Sequence, residues 1–219
     1  MYSLSEENYL KAIYHLQQSQ KAEVSTNAIA KRMQTKASSV TDMVKKLSEK
    51  DLLKYVKYKG VSLTETGAKT ALRIIRKHRL WEVFLVEKLS FKWHEVHELA
   101  EQLEHIQSPE LVDRLDDFLG NPEFDPHGDP IPDADGNIKK RNKKLLGQLE
   151  PSQSGLCVGV KSASDEFLQY LSRNNIGIGS QLSVLETEAF NGAMTVQVGQ
   201  TPLFLTREIA NSIYVTLLE

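Results

Sequence analysis

A chain of 219 residues, 40% apolar and 26% charged, has the make-up of a folded protein with a substantial core, in one large domain or roughly two to three small ones. Its apolar runs stay far short of the about 18 residues that make a membrane span, and its first residues, MYSLSEENYLKAIY, lack the basic-then-apolar order of a secretory signal. The single cysteine, Cys157, excludes a disulfide framework and any cysteine-rich metal site, so a cytoplasmic location is expected.

The net charge of −2 hides a polarity along the chain. Residues 1–76 carry 14 Lys and Arg against 7 Asp and Glu, residues 77–135 carry 5 against 15, and residues 136–219 carry 8 against 7. A basic block followed by an acidic one suggests a polyanion-binding unit joined to something that holds cations.

In chain order, Tyr9, Ala12, Ile13 and Leu16 recur at helical spacing and predict an amphipathic helix over about 5–18. Ser25 or Thr26 can cap a short helix running to Met33. After the break at Gln34-Thr35-Lys36, the stripe Val40, Met43, Val44, Leu47 predicts a third helix. Leu52 to Leu63 reads as two short strands around the turn Lys59-Gly60, and a Lys- and Arg-rich helix follows from about Glu65 to Leu89. Helix, helix, short turn, helix, hairpin is the order of a winged helix-turn-helix. Ser38, Ser39, Thr41, Asp42, Lys45 and Lys46 stand off the apolar stripe, with Lys36 just before it and Lys57 and Lys59 at the hairpin tip. Hydroxyls near a helix N-terminus reach base edges and phosphates, and lysines attract phosphate, so these nine are the candidate DNA contacts. A structural three-helix unit with solvated lysines is the alternative.

The acidic middle segment holds His78 and Glu82 four apart on one helix, then His97, Glu101, Glu104 and His105 beside a second stripe, Val96, Leu99, Ala100, Leu103. Read as one helix, that second set lies at the edge of the core. Two kinds of donor, imidazole and carboxylate, suit Mn²⁺, Fe²⁺, Co²⁺ or Zn²⁺; a solvated acidic helix with incidental histidines is the bland reading. No zincin spacing, phosphate-cradling glycine loop or nucleophile motif is present, so an enzyme is not expected. Asp133-Ala-Asp-Gly-Asn lacks the glycine position and closing glutamate of a calcium loop. Four of seven prolines fall between Pro122 and Pro132, and the basic run from Lys139 to Lys144 follows as an expected tether. From Leu156, alternating patterns punctuated by Gly177, Gly179, Gly192 and Gly199 predict a small β-barrel with one helix, Asp165 to Leu171.

These residues resemble the diphtheria toxin repressor family, which includes the manganese transport repressors. The resemblance runs through Glu7-Asn-Tyr-Leu-Lys-Ala-Ile-Tyr14, Ser38-Ser-Val-Thr41, Leu63-Thr-Glu-Thr-Gly67, Lys77-His-Arg-Leu-Trp-Glu82, Val96-His97, Glu104-His105 and Asp125-Pro-His-Gly-Asp-Pro-Ile-Pro132. It implies a mainly α fold with a small β part: a winged helix-turn-helix over 1–73, a helical metal-binding and dimerisation domain over 74–138, a linker over 139–153 and an SH3-like barrel over 154–219. The implied function is a homodimeric repressor activated by Mn²⁺ or Fe²⁺ that binds double-stranded operator DNA of metal-homeostasis genes, away from any membrane. A winged-helix regulator sensing a non-metal signal is the rival. By resemblance, the ancillary metal site falls to His78, Glu82 and His97 with Glu166 from the barrel, and the primary site to Asn8, Glu101, Glu104 and His105. Iron-responsive members often carry Met and Cys where Asn8 and Glu101 stand, and manganese-responsive ones Asp and Glu. This chain matches neither pair fully, and its oxygen-rich set favours Mn²⁺.

Overall fold

The computed structural model describes residues 2–20, 23–56, 59–161 and 163–218. The chain divides into two compact units: residues 1–79 with 101–115 and 132–138, and residues 80–100 with 116–131 and 139–219.

The first unit contains the winged helix. Helices α1 (Leu4–Gln20), α2 (Thr26–Arg32) and α3 (Ala37–Glu49) precede the hairpin β1 (Leu53–Val56) and β2 (Gly60–Leu63). The Ser25 hydroxyl accepts from Ala28 N at 3.1 Å, so Ser25 is the cap of α2. The stripe read from sequence becomes the core: Val40, Val44 and Leu47 of α3 pack with Leu10, Ile13, Ile29, Leu52 and Val61. The strands pair antiparallel from Leu53↔Leu63 to Val56↔Gly60, and Val24 adds a bridge to Val61. Gly60, at φ +134°, makes the turn where a side chain would press on the Val24 carbonyl. The Thr64 hydroxyl donates to Asp51 O at 2.7 Å and accepts from Gly67 N at 3.0 Å, which starts α4 (Glu65–Glu87) against the end of α3. Gly67 has no alternative there, because a Cβ would lie 2.0 Å from the Leu52 carbonyl oxygen.

Helix α5 (His97–Leu103) is shorter than the pattern suggested. The chain turns at Glu104-His105, and after Ser108, held out of helical geometry by the following proline, α6 (Pro109–Phe118) begins with Ser108 Oγ accepting from Leu111 N at 3.3 Å. Glu104 and His105 therefore stand on the turn after α5, not on its face as expected.

The second unit is built on one six-stranded antiparallel sheet of order β3-β8-β4-β5-β6-β7, made of β3 (Lys144–Leu145), β4 (Ser154–Val160), β5 (Gln181–Thr187), β6 (Met194–Val198), β7 (Thr201–Leu205) and β8 (Ile213–Leu217). Register shifts at Cys157/Gly159 and Val184/Glu186 bend it. Helices α7 (Asp165–Arg173) and α8 (Arg207–Ala210) complete this SH3-like part, with Leu168, Leu171, Leu182, Val196, Leu205 and Val215 in its core. Cys157 is buried in that core.

The expected linker and tether need correction. Leu146 and Leu149 are buried in the barrel core, and Lys144-Leu145 pairs with β8, so the end of 139–153 is part of the barrel. The basic run is also engaged: the Arg141 guanidinium lies 3.5 Å from the centroid of Phe124, the Lys143 ammonium 3.8 Å from that of Tyr214, and Lys139 pairs with Glu123. The proline-rich segment docks as well. Asp125 Oδ1 accepts from His127 N and Asp129 N at 2.8 and 2.9 Å, and Val160 N of β4 donates to His127 O at 3.1 Å. Gly128, at φ +84°, passes so near β4 that a Cβ would sit 2.0 Å from the Val158 carbonyl oxygen.

Candidate metal centre and nucleic-acid interface

Within the first unit, α1, α4 and the turn after α5 bring charged side chains into one buried place. Glu104 is fully buried, with no exposed surface at all. Its Oε2 accepts from His78 Nδ1 at 2.6 Å, and its carboxylate also accepts from the Lys11 ammonium at 2.6 and 2.8 Å. Lys11 reaches Glu101 as well, at 2.5 Å. His105 donates from Nδ1 to Glu7 Oε2 at 2.6 Å, and Gln107 Nε2 donates to Glu7 Oε1 at 2.7 Å. Because an ionised carboxylate only accepts, each imidazole carries a hydrogen on Nδ1, which leaves Nε2 as the ligating atom of a neutral His105. His105 Nε2 lies 3.8 Å from Glu104 Oε1, a separation two ligands of one ion reach with bonds of about 2.1 Å. Asn8 Oδ1 is buried with no hydrogen-bond partner.

Two of these observations show that the place fits a cation. An ammonium already sits against both Glu101 and Glu104, and Asn8 presents an unsatisfied carbonyl oxygen, which is costly unless something occupies its lone pairs. Two carboxylates, an imidazole and an amide oxygen form a hard, oxygen-rich donor set.

In the second unit, Glu82 is buried, with His97 Nδ1 at 3.5 Å from its Oε1 and His127 Nδ1 at 3.6 Å from its Oε2. His127 Nε2 donates to the Trp93 carbonyl at 2.7 Å, and the two rings stack at 6.2 Å. Burial by itself would depress the His127 pKa. The neighbouring Glu82 carboxylate, with the Asp125 charge and the Trp93 carbonyl, outweighs it and pushes it up to about 9. Glu82, Asp125 and His127 thus form a buried group whose ligand atoms lie within 4.8 Å of one another. His78 and Glu82 both lie on α4, four residues apart, and His78 Nδ1 is held by Glu104 at 2.6 Å. Glu166 is exposed on the first turn of α7, which Ser164 caps.

The nucleic-acid candidates lie on or beside α3. Lys36, Ser38, Ser39, Asp42, Lys45 and Lys46 are exposed, opposite the buried Val40, Val44 and Leu47. Thr41 is half-buried and turns its hydroxyl back to Ala37 O at 2.9 Å. Lys46 pairs with the buried Glu6 at 3.1 Å, and Lys50 does so at 2.6 Å. Lys59 is exposed at the hairpin, and Lys57 lies outside the described residues.

Three family models match in series: iron dependent repressor, N-terminal DNA binding domain, over residues 1–61; iron dependent repressor, metal binding and dimerisation domain, over 64–133; and a FeoA domain over 144–217. The chain is 28% identical to the iron-dependent repressor IdeR of Mycobacterium leprae over 95% of both chains. It is 32% identical to the transcriptional regulator MntR of Geobacillus thermodenitrificans, over 64% of this chain and 96% of that one. A solved structure of a manganese-dependent transcriptional repressor in complex with manganese superposes with a TM-score of 0.83 at 35% identity, over 97% of this chain and all of that one.

The chain belongs to the diphtheria toxin repressor family.

Membership in the diphtheria toxin repressor family makes it a metal-dependent, DNA-binding transcriptional repressor and not an enzyme, with a divalent metal as cofactor. Among the described residues no helix is long and apolar enough to cross a membrane. Sequence reading missed five participants in the buried groups: Glu7, Lys11, Gln107, Asp125 and His127. Glu7 and Lys11 are four apart, the spacing of a solvent-exposed helix pair, yet each turns to a different partner from distant sequence. The signal for His127 was the odd placement of a histidine inside the proline-rich segment, Asp125-Pro-His-Gly.

Proposed function

We propose that the chain is a homodimeric repressor that binds operator DNA when Mn²⁺ or Fe²⁺ occupies the place bounded by Asn8, Glu101, Glu104 and His105. The observation that carries this reading is the buried Glu104 carboxylate, met by a cation from α1 and an imidazole from α4. A metal held there would supply positive charge between donors of α1, α5 and the turn after α5. Glu101 and Glu104 contribute charge, Asn8 a neutral oxygen and His105 its Nε2, while Glu7 keeps the His105 ring turned the right way. The oxygen-rich set supports Mn²⁺ ahead of Fe²⁺. His78, Glu82 and His97 remain candidate ancillary ligands, and an exposed Glu166 is the weakest of the set.

The exposed Ser38, Ser39 and Lys45 of α3 support direct reading of the major groove, with Lys36, Lys46 and Lys59 adding phosphate contacts. Leu89, Phe91 and Phe118, exposed by 52%, 37% and 64%, support a second copy covering an apolar surface. The domain bounds 1–73 and 74–138 serve as the working division, with the barrel extended back from 154 to Lys144. Fluorescence anisotropy of an operator fragment, titrated with Mn²⁺, with Fe²⁺ under anaerobic conditions and then with chelator, tests the whole reading. Binding that strengthens with metal and reverses with chelator is expected; metal-insensitive binding supports the regulator of a non-metal signal.

A further inference from the structure

We infer that Lys11 is a tethered competitor for the metal: its ammonium occupies the space between Glu101 and Glu104, has to leave before an ion takes both carboxylates, and so sets the concentration of metal the protein answers. Lys11 makes three contacts of 2.5 to 2.8 Å to these two residues, and its side chain is only 13% exposed. This is not a loose surface pair. Glu104 is fully buried, and an unpartnered charge there is costly; Lys11 supplies the ammonium that compensates it, beside the His78 imidazole. The same four-carbon stem that brings the ammonium in lets it swing out. Asn8 lies three residues earlier on α1, on the same face, and its orphaned Oδ1 marks a donor that the ammonium leaves unsatisfied.

A group that fills a site in the free protein weakens apparent affinity by the fraction of time the site stands open. If Lys11 vacates the carboxylates less than about a tenth of the time, removing it tightens metal binding at least about tenfold. Charge is the operative property, so Lys11→Arg keeps the weak affinity whereas Lys11→Ala does not.

The inference rests on Glu101 and Glu104 being metal ligands, and the two are separable by titration calorimetry with Mn²⁺ on full-length protein. Glu104→Gln losing metal binding supports the ligand assignment; unchanged binding overturns it. Lys11→Ala binding Mn²⁺ at least tenfold more tightly, with Lys11→Arg near the parent, supports the competitor role. With Glu104→Gln behaving as expected, unchanged affinity in Lys11→Ala overturns that role alone. A measurement on the unaltered protein covers a Lys11→Ala that does not fold: the ¹⁵N resonance of the Lys11 ammonium, protected in the metal-free state, loses its protection when diamagnetic Cd²⁺ binds. A resonance still protected with the ion bound means that ammonium and metal coexist, and the competitor role fails.

Discussion

Glu7 decides which nitrogen of His105 is available. It accepts from Nδ1 and is itself fixed by Gln107 Nε2, with the Lys77 ammonium 3.9 Å away. Carboxylates that orient a ligating imidazole typically matter by about 10–100-fold in metal affinity. Glu7→Gln, which keeps the shape and removes the charge, is therefore expected to weaken Mn²⁺ binding within that range while the circular dichroism spectrum stays that of the parent. Equilibrium dialysis measures it, and full affinity removes Glu7 from the metal centre. His15 gives a second expectation. Burial and then the charges of Arg79, Lys11, Arg32 and His78 hold its pKa down at about 4, against about 6.5 in an unfolded chain. Between those values the unfolded state takes a proton that the folded state refuses, so this group's contribution to stability falls as pH drops from about 6.5 to 4. Urea unfolding at pH 7 and pH 5 should find that His15→Gln loses less stability than the parent over that interval; parallel losses contradict it.

At the scale of elements, α3 was legible because its stripe has no competing pattern: Val40, Val44 and Leu47 went inside and the hydroxyls and lysines outside. Its charges were less legible. Lys46 is drawn to Glu6 on α1, a partnership no local spacing announces, while Lys45 is exposed and, among the described residues, has no ion pair to compete with phosphate. Lys45→Ala should therefore lower DNA affinity and reduce the salt slope by about one, and Lys46→Ala should do so less; anisotropy at several salt concentrations decides, and equal effects mean the Glu6 pair yields freely to DNA. The entry to α4 is a second case. Leu63-Thr-Glu-Thr-Gly67 reads as a helix start, but only the fold reveals that Gly67 sits against the Leu52 carbonyl. Gly67→Ala has to push backbone apart and is expected to cost about 2–4 kcal/mol, read from urea unfolding. The end of α5 is not legible in the same way: periodicity carries the stripe through His105, whereas the helix stops at Leu103 and the chain turns at Glu104-His105. Glu104, on that turn, is fully buried.

For the whole molecule, the order of parts was open to the sequence because each has its own period: helical through residue 118, proline-broken to 132, alternating from 154. The partners across the buried groups were not, since the bonds of Glu7 to His105 and of Lys11 to Glu104 span 98 and 93 residues. Those long-range bonds tie the winged helix to the metal-binding segment within one compact unit, which is how occupancy of a buried carboxylate can bias the geometry of a DNA-reading helix. The measurement that tests this most directly is Mn²⁺-dependent binding to operator DNA by Glu104→Ala beside the parent protein, both checked for fold and dimerisation. The parent should gain DNA affinity with Mn²⁺ and lose it with chelator, and Glu104→Ala should show no gain at any metal concentration. A folded, dimeric Glu104→Ala that answers Mn²⁺ as the parent does would contradict the account.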